Sequence, residues 1–60
     1  MTCRVARATP LFDAPRGERV IDLNAGDTFE LLELAGDHAW GTAQPAGLVG
    51  YCDRTALELA

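Results

Sequence analysis

Turn signals break this chain roughly every eight to twelve residues. Asn24-Ala25-Gly26-Asp27, Gly36-Asp37 and Gln44-Pro45-Ala46-Gly47 each combine residues that tolerate tight backbone geometry. Helical periodicity is hard to find between them, and short strands fit the spacing where a helix of ordinary length does not. The strongest apolar stretch, Thr28-Phe29-Glu30-Leu31-Leu32-Glu33-Leu34, is short for a helix and normal for a strand. Leu and Glu favour helices, so a helix is its competitor. Read as a strand, it places Phe29 and Leu31 on one face and Leu32 and Leu34 on the other. The apolar phase slips by one residue at Leu31-Leu32, which predicts a bulge or a strand covered on both faces.

The remaining segments follow the same logic. Cys3 to Ala8 alternates, with Cys3, Val5 and Arg7 on one side and Arg4, Ala6 and Ala8 on the other. Pro10 and Pro15 bracket Leu11 to Ala14, and Arg16-Gly17 follows. Because proline cannot donate to a strand ladder, this stretch reads as a loop along a barrel edge. Arg19 to Leu23, His38 to Ala43 and Leu48 to Cys52 read as strands, and Leu57 to Leu59 closes the chain as another. Asp53 is placed to cap a single helical turn over Arg54-Thr55-Ala56. These observations predict an all-β chain, a small five-stranded barrel with one 3-10 turn before the last strand, since closure removes unpaired edges.

Length and charge exclude several classes of function. Sixty residues make one domain. Nine acidic against five basic residues give a net charge of −4, which argues against a nucleic-acid partner because phosphate contacts need a basic face. The apolar runs are too short for a transmembrane span or a signal-peptide core, so no membrane insertion is expected; the compartment is left open. One His and two Cys do not complete a four-ligand zinc site without carboxylates. No metal, no other cofactor and no catalytic residue is expected in this chain.

Cys3 and Cys52 lie near opposite ends of the sequence. A disulfide between them would close nearly the whole chain and add about 4 kcal/mol in the chain-entropy view. The alternative is two free thiols, Cys52 being a small buried apolar residue within a strand. The absence of a visible secretory signal favours free thiols.

The order of these motifs resembles an SH3-like domain of the bacterial SH3 group, over nearly the whole chain from about Val5 to Leu59. Ala25-Gly26-Asp27-Thr28-Phe29-Glu30-Leu31-Leu32-Glu33 resembles the family's Gly-acidic pair running into a strand, and Asp37-His38-Ala39-Trp40-Gly41 resembles its turn and aromatic strand. Gly47-Leu48-Val49-Gly50-Tyr51-Cys52 is similar to its Gly-Tyr-Val-Gly-Tyr-Val element. The chain looks most like the barrels that precede NlpC/P60 cysteine peptidase domains. The resemblance implies residues 1–60 as one module of a longer protein. It also implies a non-catalytic role, with a cell-wall peptide or the attached peptidase domain as partner. Departures are visible. His38 stands where relatives open the strand with Trp, and of the groove aromatics of eukaryotic SH3 domains only Phe12 is kept, which makes recognition of proline-rich ligands an unfavourable expectation.

The candidate ligand-binding residues are therefore Phe12, Asp37, His38, Trp40, Leu48 and Tyr51. His38 beside Asp37 is a pH-responsive contact to a ligand, or merely a solvated residue after a turn. Trp40 and Tyr51 offer stacking surfaces, but a barrel this small needs large side chains inside, and burial tendencies favour the core for Trp40. The acidic set Asp22, Asp27, Glu30, Glu33, Asp37 and Asp53 would attract a peptide amino terminus or simply keep the surface soluble. A stand-alone interaction or homo-oligomer module is the alternative function, and an exposed patch of Leu32, Leu34, Leu48 and Val49 would favour it.

Overall fold

A computed structural model describes residues 1–14, 17–44 and 47–60. Pro15 and Arg16 of the expected edge loop, and Pro45 and Ala46 of the expected tight connection, lie outside the described residues. The described residues form seven strands: β1 (Thr2–Val5), β2 (Thr9–Phe12), β3 (Arg19–Leu23), β4 (Thr28–Ala35), β5 (His38–Gln44), β6 (Leu48–Asp53) and β7 (Leu57–Leu59). A 3-10 turn, Arg54–Ala56, precedes β7. The pairs are antiparallel, in the order β3-β2-β6-β5-β4-β1-β7. The all-β expectation holds, and Thr28 to Ala35 is a strand rather than its helical competitor.

The strand count differs from the expected five. Thr9–Phe12, read as loop because of Pro10, pairs with β3 at Thr9↔Leu23, Pro10↔Asp22 and Leu11↔Ile21. The proline is tolerated because β6 meets β2 only at Phe12↔Tyr51, so the strand's second edge is unpartnered at Pro10. Nor do the end strands β3 and β7 pair with each other among the described residues, so the sheet is not closed by hydrogen bonds. It is nonetheless rolled: Leu23 of β3 and Val5 of β1 lie in one core with Leu11, Phe29, Ala39, Ala43 and Cys52. The turn after β3 also bonds β1 directly, with the Gly26 amide donating to the Val5 carbonyl at 2.7 Å.

Register explains which residues face inward. On β5, Ala39, Gly41 and Ala43 are buried and alternate with His38, Trp40 and Thr42. On β6, Gly50 and Cys52 are buried and alternate with Tyr51 and Asp53. The β4–β5 register shifts between Leu31 and Glu33, so the expected bulge falls at Leu32, whose side chain is exposed. Beyond the bulge Leu34 pairs with Ala39 and so has inward parity. It stays 47% exposed because β1 covers β4 only over Thr28–Glu30.

Trp40 is not in the core, contrary to expectation. Its parity on β5 points it outward, and the interior is filled instead by Phe29 and Leu11. The small inward residues Gly41 and Gly50 admit them: a side chain on Gly41 would meet Phe29 Cε2 at 2.8 Å, and one on Gly50 would meet Leu11 Cγ at 2.9 Å. Cys3 and Cys52 are both buried and both free. The free-thiol alternative is the one this structure contains.

Candidate functional site

Three of the four aromatic residues stand in one row on the outer face of the sheet. Phe12 of β2 is directly opposite Tyr51 of β6, and Tyr51 is directly opposite Trp40 of β5. Directly opposed residues share a face with Cβ atoms about 5 Å apart. All three are half-buried, and the Trp40 and Tyr51 rings are 6.4 Å apart at 37°, within the range of favourable tilted pairs. The row continues to β4, where Glu33 stands opposite Trp40.

At its Phe12 end the row borders a cleft of about 350 Å³. One wall is the β1–β2 link and β2, with Arg7, Ala8, Thr9, Pro10 and Phe12; the other is Asp37 and His38 of the β4–β5 corner, with Asp53 at the end of β6. Arg7 joins the two walls, and Arg54 braces the second of them. Arg7 Nη1 donates to the Thr55 carbonyl and Nη2 to Thr55 Oγ1, both at 2.8 Å, and Nη2 lies 3.3 Å from Asp53 Oδ2. Arg54 ties the 3-10 turn to the β4–β5 corner: its amide donates to the Asp37 carbonyl at 3.1 Å and its Nη1 to the Gly36 carbonyl at 3.2 Å. The local sequence dictates this corner, since Asp53 caps the turn as expected by accepting from the Thr55 amide at 2.9 Å.

The electrostatics follow from these bonds. The Thr55 amide and hydroxyl hold the Asp53 carboxyl below its ordinary value, with smaller help from the charges of Arg7 and His38. Arg7 and Asp53 offset each other, and the Asp37 carboxylate has no ion-pair partner among the described residues. With His38 neutral, Asp37 leaves the cleft one negative charge in excess beside an aromatic surface. Among the described residues, no group of three or more His, Cys, Asp or Glu is placed to hold a metal ion, and no helix is long and apolar enough to cross a membrane.

Cys52 and His38 do not form a dyad. Cys52 is opposite Ala39 and points inward, whereas His38 is opposite Asp53 and points outward. Burial, then the charge of Asp53, then Cys3, pushes the Cys52 thiol up to about 11. A thiol so buried is the reverse of an activated nucleophile.

The structure thus brings together Phe12, Asp37 and His38 in the cleft, with Tyr51 and Trp40 in the adjoining row. It does not bring Leu48 to them. Leu48 pairs with Ala43 at the far end of the β5–β6 hairpin, about 16 Å along the strands from the His38↔Asp53 pair. The four exposed residues Leu32, Leu34, Leu48 and Val49 likewise divide between two ends of the sheet rather than forming one patch. Arg7 and Pro10 were not legible as cleft residues: Arg7 reaches partners 46 and 48 positions away, and no local pattern encodes that meeting. Comparison with protein-family models, curated proteins and solved structures returns no match for this chain.

Proposed function

We propose that the chain is a non-catalytic binding module of SH3-like design. It holds a short peptide across the outer face of β5 and β6, with one end of the peptide in the cleft. On this reading it works beside a cell-wall peptide hydrolase of the NlpC/P60 kind in the same protein, where a rigid barrel caps one end of the catalytic groove and restricts which peptides enter. The SH3-like assignment is supported by the rolled antiparallel sheet and by the capped 3-10 turn before the last strand.

The observation that carries the peptide-binding reading is the row Phe12–Tyr51–Trp40 running into a negatively charged cleft. Half-exposed aromatics aligned across three strands offer a rigid apolar surface at little cost in side-chain entropy. The cell-wall association rests on the motif resemblance. An amide NMR titration with cell-wall stem peptides, followed by a proline-rich peptide, tests both parts. Shifts centred on Phe12, His38, Trp40 and Tyr51 with the wall peptides alone are expected. Equal response to the proline-rich peptide would replace the wall-peptide assignment, and no response to either would overturn peptide binding.

A further inference from the structure

The aromatic row ends on a carboxylate that has no partner among the described residues. Glu33 is exposed and stands opposite Trp40 on the same outer face. Among the described residues it has no ion-pair partner, because the four described arginines are engaged elsewhere: Arg4 with Glu58, Arg7 with Asp53, Arg19 with Asp22 and Arg54 with the Gly36 carbonyl. The sequence contains no lysine. An indole and an unpaired carboxylate side by side is the chemistry that recognises an organic cation, the ring through its quadrupole and the carboxylate through its charge.

We propose that Trp40 and Glu33 form a subsite for the primary alkylammonium of a basic side chain on an extended peptide. This rests on the peptide-binding reading of the same face and names the feature of the ligand that reaches β4. Strand spacing fixes the distance. Neighbouring strands are about 4.8 Å apart, so the path from Phe12 through Tyr51 and Trp40 to Glu33 covers about 14 Å. An extended peptide spans that distance in about four residues. A ligand with its terminus in the cleft therefore presents its cation about three to four residues further on. The excess of acidic over basic residues, nine against five, favours the same sign of ligand.

Trp40 is the only tryptophan, so its fluorescence reports directly on this subsite. The probes are a blocked alanine heptapeptide with a central lysine, three residues from either end, and its counterpart with a central norleucine, which keeps the shape and removes the charge. The lysine peptide should bind about fivefold more tightly than the norleucine peptide, and Glu33→Gln should erase most of that preference. Equal affinity for the two peptides, or an unchanged preference in Glu33→Gln, overturns the subsite. Amide shifts at Asp37 and His38, recorded in the same titration, separate the two claims. A cleft response without lysine preference removes the cation subsite and keeps peptide binding. No response in the cleft or at Trp40 removes both.

Discussion

Gly41 on β5 stands directly opposite Gly50 on β6, and both face the interior. The pair lets the side chains of Phe29 and Leu11 lie against the backbone of the central hairpin. Adding a methyl group at either position forces a clash. At Gly41 it meets Phe29 Cε2 at 2.8 Å and the Glu30 carbonyl oxygen closer still, and at Gly50 it meets the Phe12 carbonyl oxygen at 2.6 Å. Carbonyls within a paired ladder do not yield cheaply. Gly41→Ala and Gly50→Ala should each cost about 1–3 kcal/mol, a large share of the stability of so small a domain. Urea unfolding of each variant measures this, and an unchanged midpoint would mean that the hairpin parts freely at this rung.

Which parts of this arrangement the sequence discloses follows from the range of the interactions involved. The turns at Asn24–Asp27 and Gly36-Asp37, the Asp53 cap and the slip at Leu31-Leu32 are encoded by neighbours, and each is found where the residues place it. Two features of the fold run against rules that are right on average. Proline argues against a strand, but Pro10 occupies an edge with no partner to miss its amide. Large aromatics argue for the core, but strand parity overrides size at Trp40, and glycines across the hairpin give the interior to Phe29. The aromatic row needed the register between β2 and β6, residues some forty apart in sequence, which no periodicity within either segment supplies.

The bulge at Leu32 separates two leucines that look equivalent in the sequence. Leu31 packs against the core, whereas Leu32 is 55% exposed. Leu32→Ser should therefore change stability by no more than about 0.5 kcal/mol. Phe29→Ala, which empties a fully buried position on the same strand, should cost about 3–5 kcal/mol. Thermal or urea unfolding of the two variants checks the contrast. A large loss at Leu32 would mean that the strand runs without the register shift.

Acid should loosen the cleft corner. The Asp53 carboxyl lies below its ordinary value of 3.8 through the Thr55 bonds and the Arg7 charge. The Glu30 carboxyl is lowered by the N-terminal ammonium, which it meets at 2.8 Å, and by Thr2. A lowered value means the unfolded chain takes up the proton first, so the stabilisation is present above the ordinary carboxylate range and is lost as pH falls through the folded values. Both groups are largely exposed, so the effect is modest. Urea midpoints at about pH 6 and about pH 3 should show the decline. Asp53→Asn should make it shallower, and the amide of Thr55 should shift over the same range.

Base acts through the interior, with the opposite sign. Burial raises the Cys52 thiol from the ordinary 9.0 to about 11, so the folded chain holds its proton where the unfolded chain has lost it. The stability is whole below pH 9.0 and falls as pH rises toward about 11, a loss of about 2–3 kcal/mol if the full difference is realised. The chain has no lysine, so that class of side chain does not contribute to the slope in this window. Cys52→Ala should flatten it while lowering stability at neutral pH through the cavity it leaves. Labelling gives an independent reading. Cys3 and Cys52 are 4% and 0% exposed, so a thiol reagent should modify both only through opening of the fold. Rapid labelling of the folded chain, or an equal pH slope in Cys52→Ala, would place the titrating group elsewhere.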